Sequence, residues 1–441
     1  MNLGIEAASF YVPALYLTIN DLAEKRAIDP LKLEKGLGLY KMAINDVHED
    51  AATFAAEALL KLIQDYDLNP TEISRVYLGT ESALDAAKPT VTFAIQMIEK
   101  VLAEKFGERC FRNCDVVDLN FACIGAVDAL HNCLDYVHAN PENKAIVIAS
   151  DYAKYELASA GEYTQGGGAV ALLISSNPKL LEIENKWGVA TESVFDFFKP
   201  RRSIAKSDLT SATEQMADYL ELFTDEPVFD GHYSNQCYQN RIKEAYSHYK
   251  TQAKLEKPYK NWRYLIFHLP YAFHGKRVFS EIFSIENSLA FSTSEEQKLV
   301  AKSAVYLDFI KEKIEPSQRA SSEIGNMYTA SIFMALLSAF QVSYDKGEDL
   351  SNEKIGFLAY GSGSKAKVFT GKVGRNWNEV VAKWNLFESL KQRIQIDFET
   401  YEKLHRKQLY DSINPNYKGF GLVSIEQQNP VLIGARNYQF Q

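Results

Sequence analysis

Apolar residues recur at three- and four-residue steps through DAATFAAEALLKLIQDY (50–66) and AVDALHNCLDYVHA (126–139), a spacing that predicts amphipathic helices. Around them stand short apolar runs with β-branched side chains, VYLG (76–79), CDVVDL (114–119) and AIVIAS (145–150), which predict buried strands. From about residue 185 the same grammar returns: a helix over 234–252, a strand RYLIFHL (263–269), a helix YTASIFMALLSAF (328–340) and a strand IGFLAYG (355–361). Helical and extended segments therefore alternate in both halves, 1–180 and 181–441, and predict an α/β architecture in which strand ends converge on a shared site. The repeat is one of pattern, since no period appears at the level of residues.

Composition adds limits to this picture. The chain has 441 residues, of which 46% are hydrophobic and 24% charged, with a formal net charge of −9. That balance disfavours an electrostatic grip on nucleic acid or on an anionic membrane, both of which need clustered Lys and Arg. No Ser/Gly/Pro-rich tether divides the chain, so the two halves are expected to pack together. Neither a leader peptide nor an apolar run of membrane-spanning length is evident, and a cytoplasmic location is expected. The five cysteines (Cys110, Cys114, Cys123, Cys133 and Cys237) are too few and too scattered for a disulfide framework. Cys110 and Cys114 form at most half of a metal motif, with no matching second pair, and no metal is expected.

Three polar residues follow or end predicted strands. Cys123 lies between an apolar run and a helix, where free backbone N–H groups and the positive end of the helix dipole favour a thiolate; a buried structural cysteine is the alternative. Glu81, in VYLGTESALDAAK, is placed for partial desolvation and a raised pKa, or else for capping the next helix. His268 closes the run YLIFH, with Pro270 blocking continuation of the strand, and is expected to face a cleft or else to be a satisfied polar residue. His131 and His138 are read as decoration of one helical face. The stretches TQGGGAVALLI (164–174) and GSGSK (361–365) lack phosphate-loop spacing; each is read as a tight turn or as part of an oxyanion hole.

Taken in order, GIEAASFYVP, GTESALDAAK, NFACIGA, ASDYAKY, GEYTQGGGAVALLI, VFDFFKP, FHLPYAFHGKR, NMYTASI and AYGSGS span nearly the whole chain, and the series resembles the hydroxymethylglutaryl-CoA synthase family of the thiolase superfamily. The resemblance implies a layered αβαβα thiolase fold of two similar halves and a homodimer. It implies that Cys123 is acetylated by acetyl-CoA, that Glu81 removes a methyl proton from the acetyl thioester, and that His268 is the acid at the ketone of acetoacetyl-CoA. It further implies that Asn326 orients the acceptor, that Thr164 touches substrate, that Tyr360 and Ser362 line the site, and that Asp151 and Asp196 tune acetylation. CoA thioesters are substrates in this reading, and no cofactor is implied. The expected product is 3-hydroxy-3-methylglutaryl-CoA, a precursor in the mevalonate pathway.

Three positions depart from the family pattern. Ile124 and Val127 stand where the family commonly has tyrosine and threonine, and Phe273 stands where it usually has a lysine near the CoA chain. Lys276 and Arg277 are the cations left to attract phosphate. Phe273 keeps open a polyketide β-branching synthase that takes acyl groups from an acyl carrier protein. A ketoacyl-ACP synthase III-like condensing enzyme is a second alternative, against which Glu81 speaks, since decarboxylative condensation needs no carboxylate base.

Overall fold

A computed structural model describes residues 2–210, 213, 216–289 and 299–441. Its centre is a nine-stranded sheet built from β1 (Gly4–Tyr11), β2 (Ile73–Gly79), β3 (Asp115–Leu119), β4 (Lys144–Ala153), β5 (Gly166–Ser175), β6 (Leu181–Thr191), β7 (Trp262–Phe267), β8 (Lys354–Gly361) and β9 (Lys365–Val373). The strand order is β7-β8-β9-β6-β1-β5-β4-β2-β3. At β1 and β6 the sheet is held by two residue pairs alone, Gly4 with Glu182 and Ile5 with Leu181. That thin seam separates two sub-sheets with one pairing plan. In the first, β1 runs antiparallel to β5, β5 antiparallel to β4, and β4 parallel to β2. In the second, β6 runs antiparallel to β9, β9 antiparallel to β8, and β8 parallel to β7.

The helices repeat the plan. α1 (Ala51–Asp65) packs on β1, β4 and β5, as α4 (Gly231–Ala253) packs on β6, β8 and β9. α2 (Thr90–Phe106) lies beside α1, and α3 (Gly125–Ala139) packs on the other face of β2, β4 and β5. Alternation along the strands shows the two faces: Ala145, Val147 and Ala149 join the core shared with α3, whereas Ile146 and Ile148 join the core beneath α1 and α2. In the second half, Trp187, Phe369 and Phe357 stack toward α3, and Gly188 and Thr370 face α4. The counterpart of α3 is α7 (Ser331–Asp345), which is buried on every side from Ser331 to Ser343, as its all-round apolar sequence requires. α5 (His274–Glu286) and α6 (Glu315–Ile324) complete the second half. The layering is the expected thiolase-like αβαβα, with α3 and α7 in the middle.

Most predicted elements shift by only a residue or two, but three differences bear on the site. The strand expected over 263–269 ends at Phe267, so His268 stands just past it, its N–H still reaching the Leu358 carbonyl at 3.4 Å. The helix expected from residue 328 begins as a tight turn, Tyr328–Ala330, with Tyr328 at φ 42°, before α7 starts at Ser331. The TQGGG glycines form no loop, because Gly166 opens strand β5, where a Cβ would lie 2.4 Å from the carbonyl oxygen of Ile324. The small size of Gly166 serves close backbone contact with the segment leading to Asn326. His131 also departs from expectation: its ring stacks on Trp187 at 4.1 Å and is half-buried between the halves.

Candidate active site

The pseudo-symmetry of the fold brings the reactive groups together. Glu81 follows the end of β2 and His268 follows the end of its counterpart β7; Cys123 precedes α3 and Asn326 precedes its counterpart α7. The two helix starts are stitched to each other. Thr329 Oγ1 accepts from the Ala126 N–H at 2.8 Å, and the Thr329 N–H donates to Asp151 Oδ2 at 3.0 Å. Asp151 Oδ1 in turn accepts from Thr80 Oγ1 (2.9 Å) and from the Glu81 N–H (2.8 Å). One buried carboxyl thus fixes the loop of the first half against the helix start of the second. Close approach at this point also needs Gly79, whose Cβ would lie 2.1 Å from the Ala126 nitrogen.

Cys123 Sγ lies 3.0 Å from Glu81 Oε1. Both residues are buried, and Lys199 Nζ stands 3.8 Å from Glu81 Oε2 while donating to the Glu81 carbonyl at 3.2 Å. Burial pushes the Glu81 carboxyl up, against the opposing pull of Lys199 and the thiol. Burial and then the Glu81 charge push the Cys123 thiol well above its ordinary value. This overturns the expected thiolate. The rings of Tyr155, Tyr328, Phe197 and Phe229 collect around the thiol, and desolvation with a carboxylate at hydrogen-bond distance outweighs a helix dipole whose first residue, Gly125, lies two positions further on. The resting contact is a thiol donating to Glu81 Oε1. The capping alternative for Glu81 falls as well, because the next helix, α2, begins only at Thr90.

His268 is 2% exposed, and burial pulls its pKa down to about 3. Ser331 Oγ accepts from the Leu269 N–H at 3.1 Å and sits 2.6 Å from His268 Nδ1. We assign the Ser331 hydroxyl proton to Nδ1, the arrangement that places the ring's single proton on Nε2. A neutral imidazole is a hydrogen-bond donor, and in that form His268 faces the cavity at neutral pH.

A cavity of about 1040 Å³ is lined by Cys123, His268, Thr164, Asn326, Tyr360 and Ser362, together with Tyr155, Tyr238, His274 and Arg277. Glu81 lies behind the thiol and off this wall. Three further residues singled out from the sequence stand off the cavity wall. Asp151 is fully buried behind Glu81, with its pKa raised to about 7 chiefly by burial, and holds backbone and not ligand. Asp196 accepts from Tyr360 Oη (2.6 Å) and from the Gly363 N–H (2.8 Å), and so positions the wall without lining it. Lys276 Nζ sits 3.2 Å from the centre of the Phe273 ring and does not line the cavity; Arg277 does, its Nη2 donating to the Gly36 carbonyl at 2.6 Å. Lys199, Tyr328, Thr329 and His274 were not singled out from the sequence. Lys199, Tyr328 and Thr329 are marked by contact across the halves and His274 by the rings of Tyr238 and Tyr271, and no local pattern carries either.

Residues 1–179 match the family model described as hydroxymethylglutaryl-coenzyme A synthase N terminal, and residues 274–419 match the one described as its C terminal. The hydroxymethylglutaryl-CoA synthase of Haloferax volcanii is 30% identical over 433 residues, covering 92% of this chain and 91% of that protein. The Enterococcus faecalis enzyme of the same description is 28% identical over 437 residues, covering 99% and 100%. Among solved structures, MvaS in complex with 3-hydroxy-3-methylglutaryl coenzyme A has a TM-score of 0.82 at 29% identity, covering 100% of this chain and 99% of that one. The HMG synthase of the curacin biosynthetic pathway, in complex with holo donor-ACP, has a TM-score of 0.79 at 22% identity, covering all of both chains, and is alike in fold.

Proposed function

The chain belongs to the hydroxymethylglutaryl-CoA synthase family and is an enzyme of that kind; from this premise we propose that it condenses acetyl-CoA with acetoacetyl-CoA through an acetyl-Cys123 intermediate. The observation that carries the reading is the 3.0 Å contact between Cys123 Sγ and Glu81 Oε1 beside a thioester-sized cavity. As sulfur attacks the acetyl carbonyl, its proton passes to Glu81; collapse expels the CoA sulfur, which takes that proton. Glu81, again a carboxylate, then removes a proton from the acetyl methyl group, and the resulting enolate attacks the ketone carbon of acetoacetyl-CoA. His268 Nε2–H donates a hydrogen bond to the developing alkoxide, and the proton lost from the methyl group returns to that oxygen. Water, deprotonated by Glu81, finally cleaves the thioester, and the leaving sulfur of Cys123 takes the proton back.

The Ser362 turn supports the acyl oxygens. With the Gly363 and Ser364 N–H groups engaged by Asp196 and the Glu192 carbonyl, Ser362 is the donor this turn can offer. Asn326, whose Oδ1 is fixed by the Tyr328 N–H at 2.8 Å, faces the acceptor. The product, 3-hydroxy-3-methylglutaryl-CoA, would feed the mevalonate route. No described helix is long and apolar enough to cross a membrane. A homodimer belongs to the same reading, supported by β3, which ends the sheet next to the Cys123 loop; sedimentation is expected to show two chains per particle.

Phe273 favours a second reading, in which an acyl carrier protein delivers the acyl groups. Its ring packs over Gly38, and its N–H donates to the Leu37 carbonyl, so this position holds the entrance segment and offers no charge to a phosphate. Arg277 on the cavity wall supports the free CoA ester. Intact mass after incubation with acetyl-CoA tests the central claim: a gain of one acetyl group, lost in Cys123→Ser, is expected, and an unmodified wild-type chain would refute it. Rates with acetyl-CoA and with acetyl carrier protein then separate the two carriers.

A further inference from the structure

His274 opens α5 and is 3% exposed, yet neither ring nitrogen has a hydrogen-bond partner among the described residues. Its ring is held edge-on between Tyr238, at 4.5 Å, and Tyr271, at 4.8 Å, on the cavity wall that also carries His268 and Arg277. Tyr238 is the shared support: its hydroxyl donates to the His268 carbonyl at 2.9 Å and its ring lies 4.4 Å from Tyr360. An apolar side chain would suit this niche without leaving buried polar atoms unpaired, and an unpaired buried group is costly. A polar ring retained there calls for a ligand partner.

Burial, with smaller contributions from His268 and Arg277, pulls the His274 pKa down to about 3. The ring is therefore neutral at working pH, with one donor N–H and one acceptor nitrogen. Carboxylates and phosphates offer acceptors alone, and Arg277 is the cation on this wall suited to them. Secondary amides offer a carbonyl for the donor and an N–H for the acceptor. The pantetheine arm of an acyl thioester carries two.

We propose that His274 is a binding residue for the amides of the pantetheine arm, fixing its depth so that the thioester carbon meets Cys123 Sγ. The proposal rests on the thioester reading of the cavity. Free pantetheine, which has both amides but no acyl group, phosphate or nucleotide, is the probe. Its inhibition constant against acetylation by acetyl-CoA, and the KM for acetoacetyl-CoA, are to be measured in wild type, His274→Leu and His274→Gln. His274→Leu is expected to raise both constants about tenfold, the size of one hydrogen bond, with a much smaller fall in kcat. His274→Gln, which keeps a donor and an acceptor, recovers most of the loss. The thermal midpoint of His274→Leu is expected at or above that of wild type, because an unpartnered polar group has been removed. An unchanged pantetheine inhibition constant overturns the proposal even if KM rises, since the contact would then be to the acyl group. Lower thermal midpoints in both variants, with kcat and KM failing together, overturn it in favour of a structural role. A wild-type enzyme that accepts no acetyl group removes the thioester reading itself, and the proposal with it.

Discussion

Cys123 and Glu81 are buried and joined by one hydrogen bond, and that contact bears on the reactivity of both. The carboxylate raises the thiol pKa and accepts its hydrogen bond, so the sulfur is held back until a substrate arrives. Glu81→Gln removes the charge but keeps the shape. It is expected to lower the thiol pKa and speed alkylation of Cys123 by iodoacetamide at pH 8, while condensation falls by about 10³-fold, the usual worth of a general base. Alkylation no faster than in wild type would mean that burial alone, and not the carboxylate, governs the thiol. His268 carries a different expectation. As a neutral donor it acts on the alkoxide, so His268→Ala should still take up one acetyl group per chain while condensation drops by about 10²–10³-fold, the loss typical of a removed oxyanion donor. Labelled acetyl incorporation beside CoA release separates those two effects.

At the scale of elements, the site depends on two helix starts that face each other across the seam. α3 has no side-chain cap of its own; Ile124 occupies the capping position, and the Ala126 N–H is satisfied by Thr329 from the other half. Thr329→Val keeps the volume but removes the acceptor. It is expected to destabilise the fold by about 1–3 kcal/mol, the cost of one buried unpaired donor, read as a lower urea midpoint. The backbone N–H of residue 329 still holds Asp151, so condensation should fall only as far as the start of α3 at Ala126, three residues from Cys123, is disturbed. Helices and strands were legible in the sequence because periodicity reports which face is buried: Asp50 caps α1, one residue inside the helix expected over 50–66. The tight turn at Tyr328–Ala330 was not legible, since partners in the other half set it. The misplaced roles of Asp151, Asp196 and Lys276 have the same origin. Sequence proximity placed them at the site, whereas packing set Asp151 and Asp196 behind its wall and Lys276 over the Phe273 ring.

Burial lowers the pKa of four buried imidazoles, His48, His268, His274 and His405, and the two pulled down furthest, His268 and His274, leave a signature in acid stability. For each, the folded pKa is about 3 against an ordinary 6.5. Between those values the unfolded chain binds a proton that the native chain does not, so stability is lost as pH falls from 6.5 toward 3. His274→Leu removes one such site. Its stability relative to wild type is expected to rise by about 1.4 kcal/mol for each pH unit of acidification within that window, measured by urea unfolding at several pH values. A constant difference across the window would show that the His274 ring becomes protonated in the folded chain. The sequence by itself determined the α/β alternation, the two-half plan and the positions of Cys123, Glu81 and His268. Strand ends and helix starts are local features, and local patterns record them. Tertiary structure alone decided protonation, because the state of a thiol, carboxyl or imidazole depends on what excludes water from it and which charge stands beside it. Those neighbours, Lys199, Ser331 and the aromatic rings around the sulfur, come from segments far apart in the chain.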